Sequence, residues 1–416
     1  MQEVYLVAGK RIPFVKAGTH YVEHDPLTLS APVMQAMASQ SRPDLIVWGQ
    51  VIPSLSLSNI AREAALDAGL DATIPAYSTQ LACSTSMMGA IQAAGIVGRS
   101  GIDLAMVGGV EQMSRSPIAL DEEVSARLAA LAAQNPAAAI EAFSSLEMND
   151  FALPKKGWAN RISGRSMGDH MEETAQALSV QREEQDRLAL ASHANAAKAW
   201  DEGFFSDLVI PFAGTSRDMI VRADSTLEKL ASLKPVFDPE GGTLTAGNSS
   251  PLTDGAAGMW VASEKGLNAL PTGSHAVRLV DFEIGAVDFD TDGMLMAPAY
   301  AIPRLLERNG LRFDDVQIWE IHEAFASQVL ANIAVARDPT KREKHAPGIG
   351  DLGEFPRNRV NPVGGSLAIG HPFAATGARI ISQTAKQLST QPSGTKAVIS
   401  ICADGGQGSV MLVEAI

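Results

Sequence analysis

Thr79-Gln80-Leu81-Ala82-Cys83-Ser84-Thr85-Ser86 closes one apolar stretch and opens a helix of small residues that runs to about Gly98. Asp103 to Val107 then reads as a buried strand leaving through Gly108-Gly109-Val110-Glu111. Strands alternating with helices, broken at Gly, Pro and Asp, build a mostly parallel sheet covered by helices. Upstream the alternation is the same: Val4 to Ala8, Pro26 to Ala38, Leu45 to Gly49, Ile60 to Ala68. Downstream it returns, with Asn361-Pro362-Val363-Gly364-Gly365 leading through Gly370-His371-Pro372 into a helix to about Leu388, a strand from Lys396 to Ile401, and a glycine-rich exit. The order of elements repeats although the letters do not, so an α/β fold with a duplicated unit is expected.

The stretch 117–248 differs in composition, with charged and Ala-rich helices and loops such as Pro154-Lys155-Lys156-Gly157-Trp158. It is expected to be an inserted cap between an N-terminal half, 1–116, and a C-terminal half, 249–416. Within it Leu120, Val124, Leu128 and Leu131 form an apolar helical stripe. Such a stripe packs on its own domain or meets a partner or membrane surface.

Forty-six per cent hydrophobic but only 5% aromatic residues, with 36 glycines among 416, describe an interior in which helices pack closely on strands. A formal charge of -14 excludes a nucleic-acid partner, because phosphate neutralisation needs a basic surface. No apolar run approaches the roughly 20 residues of a spanning helix, and Val4 to Ala8 reads as a strand rather than as part of a signal sequence. A bacterial cytoplasmic location is expected. A precursor trimmed of its transit peptide would look the same, which leaves the mitochondrial matrix open.

Only two cysteines occur, Cys83 and Cys402, too few for a disulfide framework and without further ligands at metal spacing, so no metal is expected. No phosphate-binding Gly-x-x-x-x-Gly-Lys-[Ser/Thr] loop or dinucleotide-type glycine motif occurs either. Four reactive positions, Cys83, His322, His371 and Cys402, fall at strand-to-turn junctions, where ligands collect in open α/β sheets. Ser84 and Thr85 are good N-cap types, so the Cys83 sulfur is expected near the positive end of a helix, where a thiolate is stabilised. A thiol with a pKa of about 8.5 needs help worth about 2 kcal/mol to ionise substantially at neutral pH. His371, held between Gly370 and Pro372, is a candidate base. His322 and Glu323 open a helix after the strand Gln317 to Ile321, and Glu323 there complements the helix dipole. Cys402 precedes Gly405, Gly406 and Gly408, which let backbone N–H groups turn toward a bound oxygen.

Together, Cys-Ser-Thr-Ser at 83, His-Glu-Ala-Phe at 322, Gly-His-Pro at 370 and Cys-Ala-Asp-Gly-Gly-Gln-Gly at 402 resemble the motifs of the thiolase family in order and spacing. The resemblance extends through Lys10-Arg11-Ile12-Pro13-Phe14, Gly108 to Ser114, Glu184-Gln185-Asp186 with Ala191-Ser192-His193, and Thr245 to Ser250. Most thiolases carry Asn where His322 stands. The His-Glu-Ala-Phe form is similar to the branch that includes the thiolase subunit of trifunctional β-oxidation complexes.

The resemblance implies a layered αβαβα fold and CoA-dependent cleavage of 3-oxoacyl-CoA. It makes Cys83 the nucleophile, His371 the acceptor of its proton and Cys402 the second acid/base. Backbone N–H groups of Cys83 and Asp404 would hold one oxyanion; His371 and a water positioned by His322 would hold the other. Met167, Arg222, Phe237, Ser250, Ala324 and Phe325 would contact CoA and substrate, with coenzyme A a co-substrate and no tightly bound cofactor. Partners so implied are acyl-CoA, CoA, a second copy or three in a homodimer or homotetramer, and a hydratase/dehydrogenase subunit.

Asp404 departs from the pattern, since this branch tends to have Ala there, and a carboxylate beside an oxyanion opposes catalysis unless it points away. That departure motivates the alternative of a silent acyl-CoA-binding protein. A decarboxylating 3-oxoacyl synthase also combines one Cys with two His, but has no need of Cys402. The acetoacetyl-CoA-forming direction uses the same residues. Two basic clusters, Lys155, Lys156, Arg161 and Arg165, and Lys341, Arg342, Lys344 and His345, either face CoA phosphates or lie on a solvated surface.

Overall fold

The computed structural model describes residues 3–99, 101–152 and 159–416. Its strands are β1 Tyr5–Val7, β2 Val15–Lys16, β3 Leu45–Gly49, β4 Ala76–Thr79, β5 Leu104–Glu111, β6 Ala119–Leu120, β7 Phe151–Ala152, β8 Thr253–Ala262, β9 Ala276–Ala286, β10 Ile318–Ile321, β11 Lys396–Ala403 and β12 Gln407–Ala415. β6 and β7 pair with each other, and the rest form one sheet in the order β10-β11-β12-β9-β1-β8-β5-β3-β4, with β2 on β8.

The sheet is mixed rather than mostly parallel. Only β3/β4, β3/β5 and β10/β11 run parallel among the described strands. The glycine-rich exit explains part of this: Asp404-Gly405-Gly406 is all that separates β11 from β12, and so short a turn can only reverse the chain. Gly405 and Gly406 supply its left-handed backbone, at φ 84 and 73.

The expected duplication is written in the pairings. β3 and β5 are parallel, β5 and β8 antiparallel, β8 and β1 antiparallel. β10, β11, β12 and β9 repeat that series, and β1 joins β9. β8, which the sequence places in the C-terminal part beginning at 249, is therefore hydrogen-bonded within the N-terminal set. Periodicity could not reveal this, because its partners β1 and β5 lie more than a hundred residues upstream.

Strand alternation then assigns the layers. In β3, Val47 faces a core that contains Val107, Ile399 and Met411 from both strand sets, while Ile46 and Trp48 face a second core with Met34, Ala61 and Trp260. In β11, Ile399 faces the shared core, and Val398 faces a third with Leu305, Trp319 and Val329. Two helices, Thr85–Ile96 and Thr376–Leu388, fill the shared core between the strand sets. Helices Pro26–Ala38 and Ile60–Asp67 cover one outer face; Ala297–Arg308 and Ala326–Arg337 cover the other. The result is helix, sheet, helix, sheet, helix.

The two central helices touch at their N-terminal turns. Ser86 Oγ accepts from the Ala378 N–H at 2.8 Å, and a Cβ on Gly377 would come within 2.5 Å of Met87 N. This close approach brings Cys83 and His371, each just upstream of one helix, to the same place. In the middle segment, Leu120 of the expected helical stripe lies instead in β6, and helices Glu122–Gln134 and Pro136–Ser144 bury only Leu128 of it, while Leu120, Val124 and Leu131 are half-buried. Ile140 and Phe143 stand exposed beside them.

Candidate active site

Cys83 sits in a 3-10 turn, Ala82–Ser84, between β4 and its helix. Ala82 is held at φ 43, a left-handed conformation that costs about 1–3 kcal/mol in a non-glycine residue. Thr85 supports the strain: its Oγ1 accepts from Leu81 N at 2.8 Å and donates to Ala82 O at 2.7 Å. Ser84 Oγ is hydrogen-bonded to Ser409 Oγ of β12, stitching the cysteine turn to the other strand set. The sulfur is buried.

The helix-end stabilisation expected for a Cys83 thiolate does not prevail. Burial, reinforced by the negative charge of Asp404, pushes the thiol up to about 12, although backbone N–H groups of Cys83 and Asp404 interact favourably with the sulfur. The resting group is a thiol. Asp404 Oδ1 accepts from Asn160 Nδ2 at 2.8 Å, so the carboxylate is engaged by the middle segment. Removing its charge in Asp404→Asn favours the thiolate, and the Cys83 pKa is expected to fall. Alkylation by iodoacetamide across the alkaline range checks this; an unchanged or rightward-shifted profile would contradict it.

The base is close. A ring nitrogen of His322, a ring nitrogen of His371 and the Cys83 sulfur all lie within 4.8 Å of one another. The imidazoles themselves are 4.1 Å apart between centroids. His371 is fixed by its N–H on Thr253 Oγ1 at 3.0 Å and by Nδ1 on Thr376 Oγ1 at 2.6 Å. Its Nε2 is buried and has no partner among the described residues, as is true of His322 Nε2. Burial and the buried Arg379 cation bring His371 down to about 3 and hold His322 well below its ordinary value, with His371 adding to the effect on His322. Both imidazoles are neutral at pH 7, which a base requires. Cys402, in β11, is buried beside them, and its thiol is raised by burial and by the charge Cys83 would carry. The four reactive residues named from the sequence are thus all buried, three of them in mutual reach and Cys402 near enough to feel the charge of Cys83.

Met167, Phe237, Ala324 and Phe325 share one apolar cluster with Cys402. The Phe237 and Phe325 rings meet edge to face at 6.0 Å. Ser250 joins them through its N–H on Ala324 O at 2.9 Å. Arg222 is exposed, outside this cluster, and its backbone N–H donates to His193 Nδ1 at 3.2 Å.

Lys155 and Lys156 lie outside the described residues, and Arg165 pairs with Glu173 at 2.8 Å. The second basic cluster is split, with Lys341 and Lys344 exposed. Arg342 is buried and donates to Ala336 O, Ile349 O and Gly350 O, closing its own loop. Lys344 and His345 pair with Asp292. Three of these four residues thus serve local backbone and carboxylate partners.

Glu323 does more than complement a helix dipole. Its buried carboxylate accepts from Ser192 Oγ at 2.7 Å, Asn361 Nδ2 at 2.6 Å and Leu367 N at 3.1 Å, pinning the segment that leads to His371. A Cβ on Gly365 would fall 2.2 Å from Glu323 Cδ. Gly365→Ala is therefore expected to destabilise by about 1–3 kcal/mol, the usual range for overpacking, read as a lower melting temperature. Sequence reasoning missed Asn160, Ser366, Thr376 and Arg379, polar residues around the site with no chemistry of their own. Nothing in the sequence singled out Thr376 and Arg379, because their helix also carries Ser382, Gln383, Thr384, Lys386 and Gln387.

Comparison with known proteins agrees with the geometry. The chain matches the thiolase N-terminal domain over residues 4–265 and the thiolase C-terminal domain over 274–415. The second span begins after β8, as the pairing of that strand requires. The 3-ketoacyl-CoA thiolases of Yersinia enterocolitica and Yersinia pestis are 37% and 36% identical to it, each over 99% of this chain and 96% of the relative. The crystal structure of an acetyl-CoA acetyltransferase from Bacillus anthracis superposes with a TM-score of 0.82 at 30% identity, covering 100% of this chain and 99% of that one. The Acat5 thiolase of Ascaris suum, solved in complex with coenzyme A, superposes with a TM-score of 0.80 at 25% identity over 100% of both chains. By its matched domains, its relatives and its fold, the chain belongs to the thiolase family.

Proposed function

We propose that the protein is a 3-ketoacyl-CoA thiolase, cleaving 3-oxoacyl-CoA with coenzyme A to acetyl-CoA and a shortened acyl-CoA. The observation that carries this reading is the meeting of the Cys83 sulfur with two neutral imidazoles whose Nε2 atoms are free, next to the Cys402 thiol. Cys83 attacks the 3-oxo carbon as its proton passes to His371, and the resulting alkoxide collapses with cleavage of the bond between carbons 2 and 3. Its electrons leave as the acetyl-CoA enolate, which Cys402 protonates. The Cys402 thiolate then takes the proton of incoming CoA, whose sulfur attacks acyl-Cys83; His371 returns its proton to the departing Cys83 sulfur. Backbone N–H groups of Cys83 and Asp404 serve the acyl oxyanion. His371 and His322, the latter through a water, serve the enolate.

Met167, Phe237, Ser250, Ala324 and Phe325 line the proposed pantetheine and acyl path, with Arg222 toward the nucleotide end. CoA is a co-substrate here rather than a resident cofactor. A homodimer or homotetramer fits the fold, because β4 ends the sheet beside the Cys83 turn and offers an edge to a second copy. The exposed Ile140 and Phe143, near the Glu122–Gln134 helix, are where a hydratase/dehydrogenase subunit would make contact. Among the described residues no helix is long and apolar enough to cross a membrane, and the proposed location is the bacterial cytoplasm. Likeness to an acetyl-CoA acetyltransferase keeps a second reading, condensation to acetoacetyl-CoA by the same steps reversed.

Incubation with CoA and 3-oxoacyl-CoA substrates of increasing chain length tests the proposal. Acetyl-CoA and an acyl-CoA two carbons shorter are expected in equal amounts. No turnover despite tight CoA binding would identify a silent binder instead.

A further inference from the structure

The two imidazoles have similar partners but different neighbours behind them. His371 Nδ1 meets the Thr376 hydroxyl at 2.6 Å, and His322 Nδ1 meets the Ser366 hydroxyl at 2.8 Å. Only Ser366 is also reached by a cation: Arg379 Nη2 donates to its Oγ at 2.6 Å. Arg379 is itself buried, in the helix Thr376–Leu388, and its Nη1 donates to Gln383 Oε1 at 3.3 Å. Gln383 and Gln387 in turn donate to the buried Glu320 carboxylate at 2.7 and 2.6 Å.

Proton counting along this chain has one satisfied solution. A guanidinium has donors only, so the Ser366 oxygen accepts from Arg379. The hydroxyl retains a single proton, and the acceptor in reach is His322 Nδ1. His322 must then carry its own proton on Nε2. The reverse arrangement would aim two N–H groups at one oxygen and leave the Ser366 proton buried without an acceptor, a cost of about 1–3 kcal/mol. Thr376 has no cation donating to it among the described residues, so its hydroxyl can either donate to or accept from His371 Nδ1, and no such count fixes the His371 tautomer.

We propose that Arg379, acting through Ser366, is a positioning residue that fixes His322 as the Nε2–H tautomer, a hydrogen-bond donor. The inference rests on the proposed thiolysis for its kinetic consequence, but the tautomer itself can be read without turnover. An imidazole held in that tautomer offers a hydrogen bond to developing negative charge beside the proposed base His371. A ring whose proton can sit on either nitrogen needs a device that chooses between them.

Nitrogen-15 solid-state spectra of the histidine-labelled full chain test this, with the His322 signals assigned by their loss in His322→Asn. In the wild-type protein a protonated Nε2 and an acceptor-type Nδ1 are expected for His322. Arg379→Met is expected to admit the Nδ1–H form and lower kcat by about 10- to 100-fold, a part of the roughly 10²–10³ lost with a whole oxyanion donor. The KM for CoA should change by less than about twofold, since uniform binding is untouched. Arg379→Lys, which keeps a donor, should restore the Nε2–H signal and most of kcat, and Ser366→Ala should behave like Arg379→Met. A wild-type His322 protonated on Nδ1, or an unchanged tautomer in folded Arg379→Met and Ser366→Ala, overturns the proposal. Correct tautomers in a protein that cleaves no 3-oxoacyl-CoA would sink the thiolysis reading alone.

Discussion

Cys83→Ala is expected to abolish the acyl-enzyme and to lower CoA-dependent cleavage by about 10⁴-fold or more, the scale of losing a covalent nucleophile. The reason lies in how the site is divided. With Cys83 at about 12 and His371 at about 3, neither group is ionised at rest, so no preformed ion pair exists. Attack and proton transfer must occur together, and without sulfur His371 has nothing to deprotonate that can hold an acyl group. The fold should tolerate the change, because the turn is held by Thr85 and Ser84 rather than by the thiol. Steady-state rates and thermal unfolding of the same preparation separate the two effects. An active Cys83→Ala protein with a normal melting temperature would contradict the assignment.

Cys402→Ala is expected to divide the reaction in two. Acylation of Cys83 should still take place, slowed where the acetyl-CoA enolate lacks a proton donor. Deacylation by CoA should slow by about 10²–10⁴-fold, the range for loss of a general base. The acyl-enzyme should then accumulate and be visible as a mass increase that fades slowly when CoA is added. The separation of roles follows from position: Cys402 is held in β11, on a rigid hairpin, while Cys83 lies on a strained turn facing it. A variant that releases acyl-CoA at the wild-type rate would show that another group activates CoA.

Much of this was legible in the sequence, for particular reasons. Cys83 and His322 sit where strands end and helices begin, whereas His371 follows the short helix Ser366–Ile369 and Cys402 lies inside β11 before the turn into β12; what repeats is the helix just downstream of Cys83 and of His371. Cys83 and His371 could therefore be placed at matching junctions before any coordinates. The antiparallel returns were not legible as a whole, because β8 is joined to its partners across the entire middle segment and carries the same apolar pattern as a parallel strand. The sign of the Cys83 shift was misread for a physical reason as well. A helix end and two N–H groups favour the thiolate, but burial is a property of the packed pocket, and it is the larger effect. Asn160 and Arg379 were illegible because each acts through another residue, Asp404 in one case and Ser366 in the other.

The central claim is that acyl transfer passes through Cys83 in a pocket shared with Cys402 and His371. Quenching the wild-type protein in acid after mixing with a 3-oxoacyl-CoA in the absence of free CoA, followed by peptide mass mapping, tests it most directly. One acyl group on the peptide carrying Cys83, with acetyl-CoA released in equal amount, is the predicted result. An acyl group on Cys402 or elsewhere, or acetyl-CoA formed with no acylated peptide, would contradict it.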